Sequence, residues 1–403
     1  MLPFSPPRID QKIIDEVIDT LQSGWITTGP KTKRFERNLE AYADCRRVLC
    51  LNSATAGLET MLRWFGVTLG DEVILPAYTY SATANVIIHC GAIPVFVDVN
   101  EHDFNINVEK IREAITDKTK VIMPVDFGGM PCDYDAINEM VRSNAIINKF
   151  IAATLEQQQL GRILVLSDAA HSIGSRYNGK RAGSFTDVSI LSFHAVKNLT
   201  TAEGGAICLN LQEFDNDMIY NQLSIATLHG QNKDALAKTQ PGNWRYDIVE
   251  AGYKYNMTDI LASIGLVELA RYEDETLPKR KLICERYNFA FAPCSWAILP
   301  CFVSDEKESS YHLFPLRIKG VSEMQRDQII TTISRNGVNV NVHFLPVPAM
   351  SYYRKLGYNI ENYPQAKANY EIEISLPVYF NLAETEVEFV IKTVKDAVYE
   401  VLG

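Results

Sequence analysis

The sequence predicts an α/β fold built around a mostly parallel β-sheet. Short apolar runs of strand length alternate along the chain with segments whose apolar residues recur at helical spacing. Strands that alternate with helices pair in parallel through right-handed crossovers. With 403 residues the chain is long enough for two domains. We expect a large domain over residues 1–265 and a smaller α+β domain over residues 266–403.

Each helix is predicted from an apolar stripe, and each strand from a short run rich in Val, Ile and Leu. The expected helices are residues 9–21, 31–43, 58–65, 108–115, 134–157, 214–227, 258–272, 276–291, 323–335 and 384–402. The expected strands are residues 48–51, 73–76, 93–98, 120–125, 163–167, 188–191, 206–209, 312–318 and 338–343. The polar end of segment 134–157 is expected to extend a helix outward from the domain.

Composition excludes several classes of protein. The net charge is −10 and no basic run offers a surface for a phosphate backbone, which argues against a nucleic-acid partner. The eight cysteines form no C-x-x-C pair, so we expect no metal site and a reducing compartment. No segment has the length and apolarity of a membrane span, and the first residues carry no secretory signal. We therefore expect a cytoplasmic protein with no membrane partner.

Two residues at strand ends indicate a cofactor pocket. Asp168 ends one buried strand, and the carboxyl end of a parallel strand faces the crevice where α/β sheets bind ligands. Lys197 follows the next apolar run, among small and polar residues that would let its ammonium lose a proton. Pyridoxal phosphate (PLP) requires a lysine for its Schiff base and a carboxylate for its pyridine nitrogen. Each residue alone fits an ordinary turn, but the ordered pair favours PLP.

Two further segments have a functional and a structural interpretation. Residues 52–57 open a helix with small hydroxyl residues, which fits a phosphate site or a simple N-cap. Tyr78 and Tyr80 lie at a strand-to-helix junction, where one of them stacks on a flat ring or both belong to the core.

Together these motifs resemble the nucleotide-sugar aminotransferases, the DegT/StrS class of fold-type-I PLP enzymes. The motifs stand in the family's order: Ser-Gly-Trp-Ile-Thr-Thr-Gly-Pro (23–30), Asn-Ser-Ala-Thr-Ala-Gly (52–57), Asp-Ala-Ala-His (168–171), Ser-Phe-His-Ala-Val-Lys-Asn (192–198), Glu-Gly-Gly (203–205) and Gly-Tyr-Lys-Tyr-Asn (252–256). Within the family the sequence is most similar to the branch that makes UDP-4-amino-4-deoxy-L-arabinose. The resemblance implies a sheet of the seven-stranded type between helices, and a homodimer with active sites at its interface.

The resemblance also implies a role for each site residue. Lys197 would form the Schiff base and shuttle a proton, and Asp168 would bind the pyridinium nitrogen. The other expected cofactor contacts are Tyr80 on the ring face, His171 near the ring hydroxyl, Ala54, Thr55 and Ser192 on the phosphate, and Asn256 from the neighbouring subunit. The expected substrate contacts are Trp25, Thr27, Tyr255 and His343. Trp25, Trp244 and Arg245 have two interpretations, either lining for the nucleotide or sugar or loop packing at a dimer interface.

The sequence departs from the family's pattern at three places. Ser167 precedes Asp168 where a glutamate is usual, and Asp126-Phe127 stands where a histidine and a tyrosine are common. Pro348 occupies the position of a second histidine after His343. The last two departures lie where substrate contacts are expected, so they bear on the identity of the sugar.

The expected reaction is a ping-pong transamination from glutamate to the keto group, with a 4-keto sugar favoured, of a nucleotide-linked deoxy sugar. Such amino sugars enter cell-surface glycans, among them lipopolysaccharide. A dehydratase of the same fold is one alternative, but those members replace the lysine by histidine, which Lys197 contradicts. A non-catalytic sensor is another, and the intact Asp168–Lys197 pair argues against it. No G-x-G-x-x-G follows the first strand, so a nicotinamide oxidoreductase is set aside.

Overall fold

A computed structural model describes residues 1–233 and 245–403, so Trp244 lies outside the described residues. The strands are β1 (Arg47–Leu51), β2 (Glu72–Pro76), β3 (Ile93–Val97), β4 (Thr119–Ile122), β5 (Leu164–Asp168), β6 (Arg176–Tyr177), β7 (Lys180–Arg181), β8 (Val188–Ser192), β9 (Gly205–Leu209), β10 (Ala297–Ile298), β11 (Lys307–Glu308), β12 (Phe314–Ile318) and β13 (Glu373–Leu376). The α-helices are Gln11–Gln22, Pro30–Ala43, Ala54–Trp64, Ser81–His89, Val108–Ala114, Tyr134–Arg142, Asn144–Ile147, Leu155–Leu160, Asn216–Ala226, Asp259–Ala270, Leu277–Phe291, Glu323–Arg335, Ser351–Lys355, Pro364–Ile372 and Glu384–Leu402.

A seven-stranded sheet in the order β1-β9-β8-β5-β4-β2-β3 forms the centre of the large domain. The pairs β3–β2, β2–β4, β4–β5 and β5–β8 are parallel, whereas β9 runs antiparallel to both β8 and β1. This sheet confirms the predicted α/β class. Because β9 is reversed, its first residue Gly205 pairs with the last residues of its neighbours, Leu51 and Ser192. The chain segments that follow β1 and β8 therefore meet at the same edge of the sheet, next to the first residue of β9.

The expected long helix over residues 134–157 is wrong. It is divided into Tyr134–Arg142, Asn144–Ile147 and Leu155–Leu160. Ser143 has an extended backbone, and the hydroxyl of Thr154 accepts a hydrogen bond from the N–H of Gln157, which starts a new helix. Gln157 is buried and its side-chain amide donates to the carbonyl of Phe65 over 2.8 Å. The polar end of this segment thus packs onto the domain and does not project from it.

The expected strand over residues 338–343 is also wrong. Its Val338 and Asn341 form only isolated bridges, to Leu2 and Ser375. In the small sheet β12 pairs with β10 and with β13, and β13 was not predicted from the sequence. Polar residues hid this strand, because its alternate positions are Glu373 and Ser375, and both are fully buried.

A second hydrophobic core lies between the β10-β12-β13 sheet and three helices, Leu277–Phe291, Glu323–Arg335 and Glu384–Leu402. The last two helices have the predicted bounds. The boundary at residues 265/266 stays a prediction, and the helix Asp259–Ala270 runs through it. Within the part of the chain that the structure describes, no helix combines the length and apolarity needed to cross a bilayer.

Candidate active site

The candidate site is a cavity of about 400 Å³ at the carboxyl edge of the central sheet. Asp168 at the end of β5 and Lys197 in the turn after β8 both line it. The register pairs Asp168 with Ile190 of β8, two residues before that strand ends. Parallel strands therefore bring the two predicted residues to the same pocket, as the switch-point rule for α/β sheets requires.

Asp168 is buried, with 7 % of its surface exposed. Its Oδ2 accepts a hydrogen bond from the Thr83 hydroxyl over 2.8 Å, and its Oδ1 accepts one from the N–H of Ala170 over 3.3 Å. Burial raises the pKa of Asp168, while the Thr83 hydroxyl and the nearby Lys197 charge act in the opposite direction. The carboxyl group is thus oriented by two donors and is ready to interact with a cation in the cavity.

Lys197 is half-buried in a turn closed by a hydrogen bond from its N–H to the carbonyl of His194. Burial lowers the pKa of Lys197 to about 8, against the opposing effect of the Asp168 carboxylate. A sizeable fraction of the amine is therefore neutral near physiological pH, as a nucleophilic lysine requires.

One end of the cavity has the features of an anion site. Ser53 caps the helix Ala54–Trp64 by accepting from the N–H of Ala56 over 3.1 Å. The first residues of that helix, Ala54 and Thr55, line the cavity, and N–H groups in a first turn lack intrahelical acceptors. A Cβ atom on Gly205 would lie 2.4 Å from the Ala54 nitrogen, so only glycine allows β9 to begin against this helix.

Aromatic and imidazole rings form the walls of the cavity. Tyr80 lines it with 61 % of its surface exposed, and its ring centre lies 6.0 Å from that of Phe344. His171 is buried, and its Nδ1 accepts a hydrogen bond from the N–H of Gly128 over 3.2 Å. Burial lowers the pKa of His171 well below its usual range, with the Lys197 charge adding to the effect. The neutral ring of His171 therefore carries its hydrogen on Nε2.

The structure places the predicted residues in two groups. Lys197, Asp168, Ala54, Thr55, Tyr80, His171, Ser192 and His343 all line the cavity. Trp25, Thr27, Tyr255 and Asn256 do not belong to this lining within a single chain. Asn256 donates to the Thr28 hydroxyl over 2.6 Å, and Tyr255 stacks on Tyr253 with ring centres 4.9 Å apart. The roles assigned to these residues stay predictions.

Two of the departures from the family pattern share one buried network. The Tyr134 hydroxyl donates to Oδ1 of Asp126 over 2.6 Å and lies 2.6 Å from the Ser167 hydroxyl. Burial raises the pKa of Asp126 to about 6. Tyr134 begins a helix, Ser167 precedes Asp168 in β5, and Asp126 follows Val125, which bridges Asp168. None of the three lines the cavity, so the network supports the strand that carries Asp168.

Comparison with known proteins identifies the family. The sequence pattern of the DegT/DnrJ/EryC1/StrS aminotransferase family matches residues 7–395. The chain belongs to this family. Spr1654 from Streptococcus pneumoniae, named as a sugar aminotransferase, is 46 % identical in its PMP form, with a TM-score of 0.95 and complete coverage of both chains. Its PLP form is 44 % identical, with a TM-score of 0.94.

Two curated relatives extend this comparison. The uncharacterized protein MJ1066 from Methanocaldococcus jannaschii is 39 % identical over 99 % of this chain and 98 % of its own. The spore coat polysaccharide biosynthesis protein SpsC from Bacillus subtilis is 36 % identical over 98 % of this chain and 97 % of its own. This DegT/StrS chain thus matches its relatives over nearly its full length.

The residues present fit the PLP of a DegT/StrS aminotransferase. The helix start at Ala54 offers donors for a phosphate, and the glycine at position 205 lets β9 begin directly against this helix start. Asp168 offers a carboxylate for a protonated ring nitrogen, and Lys197 offers the amine. The chain is a PLP-dependent aminotransferase of fold type I. Among the described residues, no group of His, Cys, Asp or Glu side chains is arranged to hold a metal ion.

Several residues of this DegT/StrS site were not predicted from the sequence, among them His312 and Phe344, which line the cavity, and Thr83, which holds Asp168. The rings of His312 and His171 lie 4.3 Å apart, although the two residues are distant in sequence. Thr83 follows the motif at Tyr80 by less than a helical turn, and no sequence signal connects it with Asp168. Phe344 could have been predicted, because it directly follows His343 in a His-Phe pair.

Proposed function

We propose that this aminotransferase moves an amino group from glutamate to the keto carbon of a nucleotide-linked deoxy sugar, with a 4-keto sugar favoured. The observation that carries the proposal is the joint position of Asp168 and Lys197 in one cavity, with burial lowering the pKa of Lys197 to about 8. PLP, when bound, supplies the electron sink for transamination. The sugar aminotransferase name of Spr1654 supports a sugar as the amino acceptor.

Each cofactor-binding residue of the cavity has a proposed task. Lys197 is the amine that holds the cofactor and then carries a proton to and from the reacting carbon. Asp168, fixed by Thr83, keeps the ring nitrogen protonated. Tyr80 would supply a ring face for stacking on the cofactor, and His171 would contact its ring hydroxyl; both residues line the cavity. Ala54, Thr55 and Ser192 bind the phosphate.

The remaining residues act in a homodimer in which two chains complete each site. Trp25, Thr27 and Tyr255 contact the substrate in this proposal, and Asn256 reaches the phosphate of the neighbouring subunit. The support is an apolar surface on the first helix, where Ile14, Ile18 and Leu21 are 42 %, 43 % and 53 % exposed. A second copy of the chain would cover these side chains.

We place the reaction in the cytoplasm, in the synthesis of cell-surface glycans that include lipopolysaccharide. The polysaccharide biosynthesis name of SpsC supports a glycan pathway. The acidic chain and its unpaired cysteines are typical of a reducing compartment.

The visible absorption spectrum of the purified protein tests the proposal, first alone and then with glutamate. We expect the band of lysine-bound PLP to be bleached by glutamate and restored by a 4-keto nucleotide sugar. Bleaching by another amino acid only would overturn glutamate as the donor. Restoration by 3-keto but not 4-keto sugars would overturn the preferred acceptor. If the protein takes up no PLP, the alternative of a non-catalytic sensor would be favoured.

A further inference from the structure

A buried carboxyl group is linked to His343 in two ways, once directly and once through Ser375. Glu373 in β13 is fully buried, and its Oε2 accepts a hydrogen bond from the backbone N–H of His343 over 3.0 Å. Its Oε1 accepts one from the hydroxyl of Ser375, which is also fully buried. The Ser375 oxygen in turn lies 2.9 Å from Nδ1 of His343. A chain of hydrogen bonds therefore leads from Glu373 through Ser375 to a ring that lines the cavity.

The direction of this chain depends on whether Glu373 carries a proton. As a carboxylate, Glu373 accepts the Ser375 hydrogen, so the Ser375 oxygen accepts from Nδ1–H of His343. Nε2 of His343 then holds a lone pair. As a carboxylic acid, Glu373 holds its hydrogen on Oε1, because Oε2 already accepts from the His343 backbone. Ser375 then donates to Nδ1, and the ring hydrogen moves to Nε2.

We propose that Glu373 is a positioning residue. Through Ser375 it determines which ring nitrogen of His343 carries the hydrogen. Since Nδ1 is engaged by Ser375, Nε2 is the nitrogen left for the cavity. With a hydrogen on Nε2, His343 donates to a carboxylate, phosphate or keto oxygen of a substrate. With a lone pair there, it accepts from a hydroxyl or ammonium group. The inference rests on the proposed function only in assuming that His343 contacts substrate.

The surroundings of Glu373 favour its neutral form over a broad pH range. Burial raises the pKa of Glu373 to about 8, against the opposing effects of the hydrogen bonds from Ser375 and the His343 N–H and of the Arg326 and Arg317 charges. Arg326 donates to the backbone carbonyls of Glu373 and Tyr370, and Arg317 donates to the Asn369 side chain. The Tyr78 hydroxyl donates to the His343 carbonyl over 2.6 Å. Lys197, His171 and His312 are further titratable groups that interact electrostatically with His343.

The His343 ring itself stays neutral throughout this range, since burial lowers the pKa of His343 to about 3. Its hydrogen should therefore lie on Nε2 at neutral pH. It should move to Nδ1 as Glu373 loses its proton, with the ring charge unchanged.

Two-bond ¹H–¹⁵N correlation spectra of the PLP-loaded enzyme, labelled on histidine, test this directly, because they show which ring nitrogen is protonated. The signals of His343 are assigned by their loss in His343→Gln. In wild type we expect the hydrogen on Nε2 at about pH 6.5 and on Nδ1 at about pH 9.5. In Glu373→Gln the side-chain NH₂ donates to Ser375 permanently, so the hydrogen should stay on Nε2 at both pH values.

Two further variants test whether the pH-dependent change requires this chain of hydrogen bonds or any nearby glutamate. Ser375→Ala removes the link and keeps Glu373, and the pH-dependent change at His343 should be lost. Glu371→Gln alters a partly exposed glutamate two residues away and should behave as wild type. An unchanged His343 tautomer across pH in wild type, or the same change in Glu373→Gln, would overturn the proposal. Because no substrate is present, this outcome is independent of the donor and acceptor proposed above.

Discussion

The hydroxyl of Thr83 donates to Oδ2 of Asp168 over 2.8 Å, and both side chains are buried. Thr83 lies in the first turn of the helix Ser81–His89. The Thr79 hydroxyl lies 2.9 Å from the Thr83 hydroxyl and hydrogen-bonds to it. The carboxylate therefore has its orientation set before any ligand arrives. A hydrogen bond to a charged group is worth about 1.5–3 kcal/mol, so this contact is large enough to affect catalysis.

Replacing Thr83 by valine should slow transamination about tenfold to a hundredfold without unfolding the protein. The shape is preserved, but the buried Asp168 carboxylate loses its hydroxyl donor. Steady-state rates and thermal unfolding of the variant measure the effect. Thr60→Val is the matched control, since Thr60 is also buried and its hydroxyl has no hydrogen-bond partner within the described residues. Equal rates for the two variants would contradict this role of Thr83.

Replacing Lys197 by alanine should abolish transamination and leave the fold intact. The cavity would still bind PLP through its phosphate site, but the amine that carries the proton would be missing. Single-turnover assays and far-ultraviolet circular dichroism provide the measurements. Lys180→Ala, at an exposed lysine of β7, should keep full activity. Normal turnover by Lys197→Ala would show that another residue performs the chemistry.

The rate at which the apoenzyme captures PLP should rise with pH, with a midpoint near pH 8. Burial lowers the pKa of Lys197 to about 8, and only the neutral amine attacks an aldehyde. The Asp168 charge opposes this lowering, so in Asp168→Asn the whole curve should move to lower pH. Stopped-flow absorbance across pH measures both curves. A wild-type midpoint near the ordinary lysine value of about 10.4 would contradict the proposed environment.

A mixed dimer tests whether Asn256 acts across the subunit interface. Asn256 lies outside the cavity lining of its own chain, where its side chain donates to Thr28. A heterodimer of one Lys197→Ala chain and one Asn256→Ala chain has one intact site if Asn256 serves the neighbouring subunit. Purified with two affinity tags, it should show roughly half of the wild-type activity. Activity no higher than that of the Asn256→Ala homodimer would place Asn256 in its own chain's site.

The prediction of the secondary structure succeeded where one local pattern dominates and failed where distant partners decide. The helices at residues 323–335 and 384–402 have apolar stripes that no other feature interrupts, and they are confirmed. The segment 134–157 was wrong because buried Gln157 finds its acceptor at Phe65, far away in sequence. Strand β13 was missed because its buried Glu373 and Ser375 are satisfied by His343, which no periodicity reveals.

By itself the sequence determined the α/β class, the family, and the chemical identity of the central pair, Asp168 and Lys197. These depend on residue type and order, since PLP chemistry requires a carboxylate and an amine, and the order of the motifs along the chain is typical of the family. Only the tertiary structure decided their environment. Because β9 is reversed, its first residue meets the ends of β1 and β8 beside the proposed phosphate site. Burial lowers the pKa of Lys197 to about 8. Desolvation and long-range hydrogen bonds arise from packing, so Thr83 and Glu373 acquired their roles only in the folded chain.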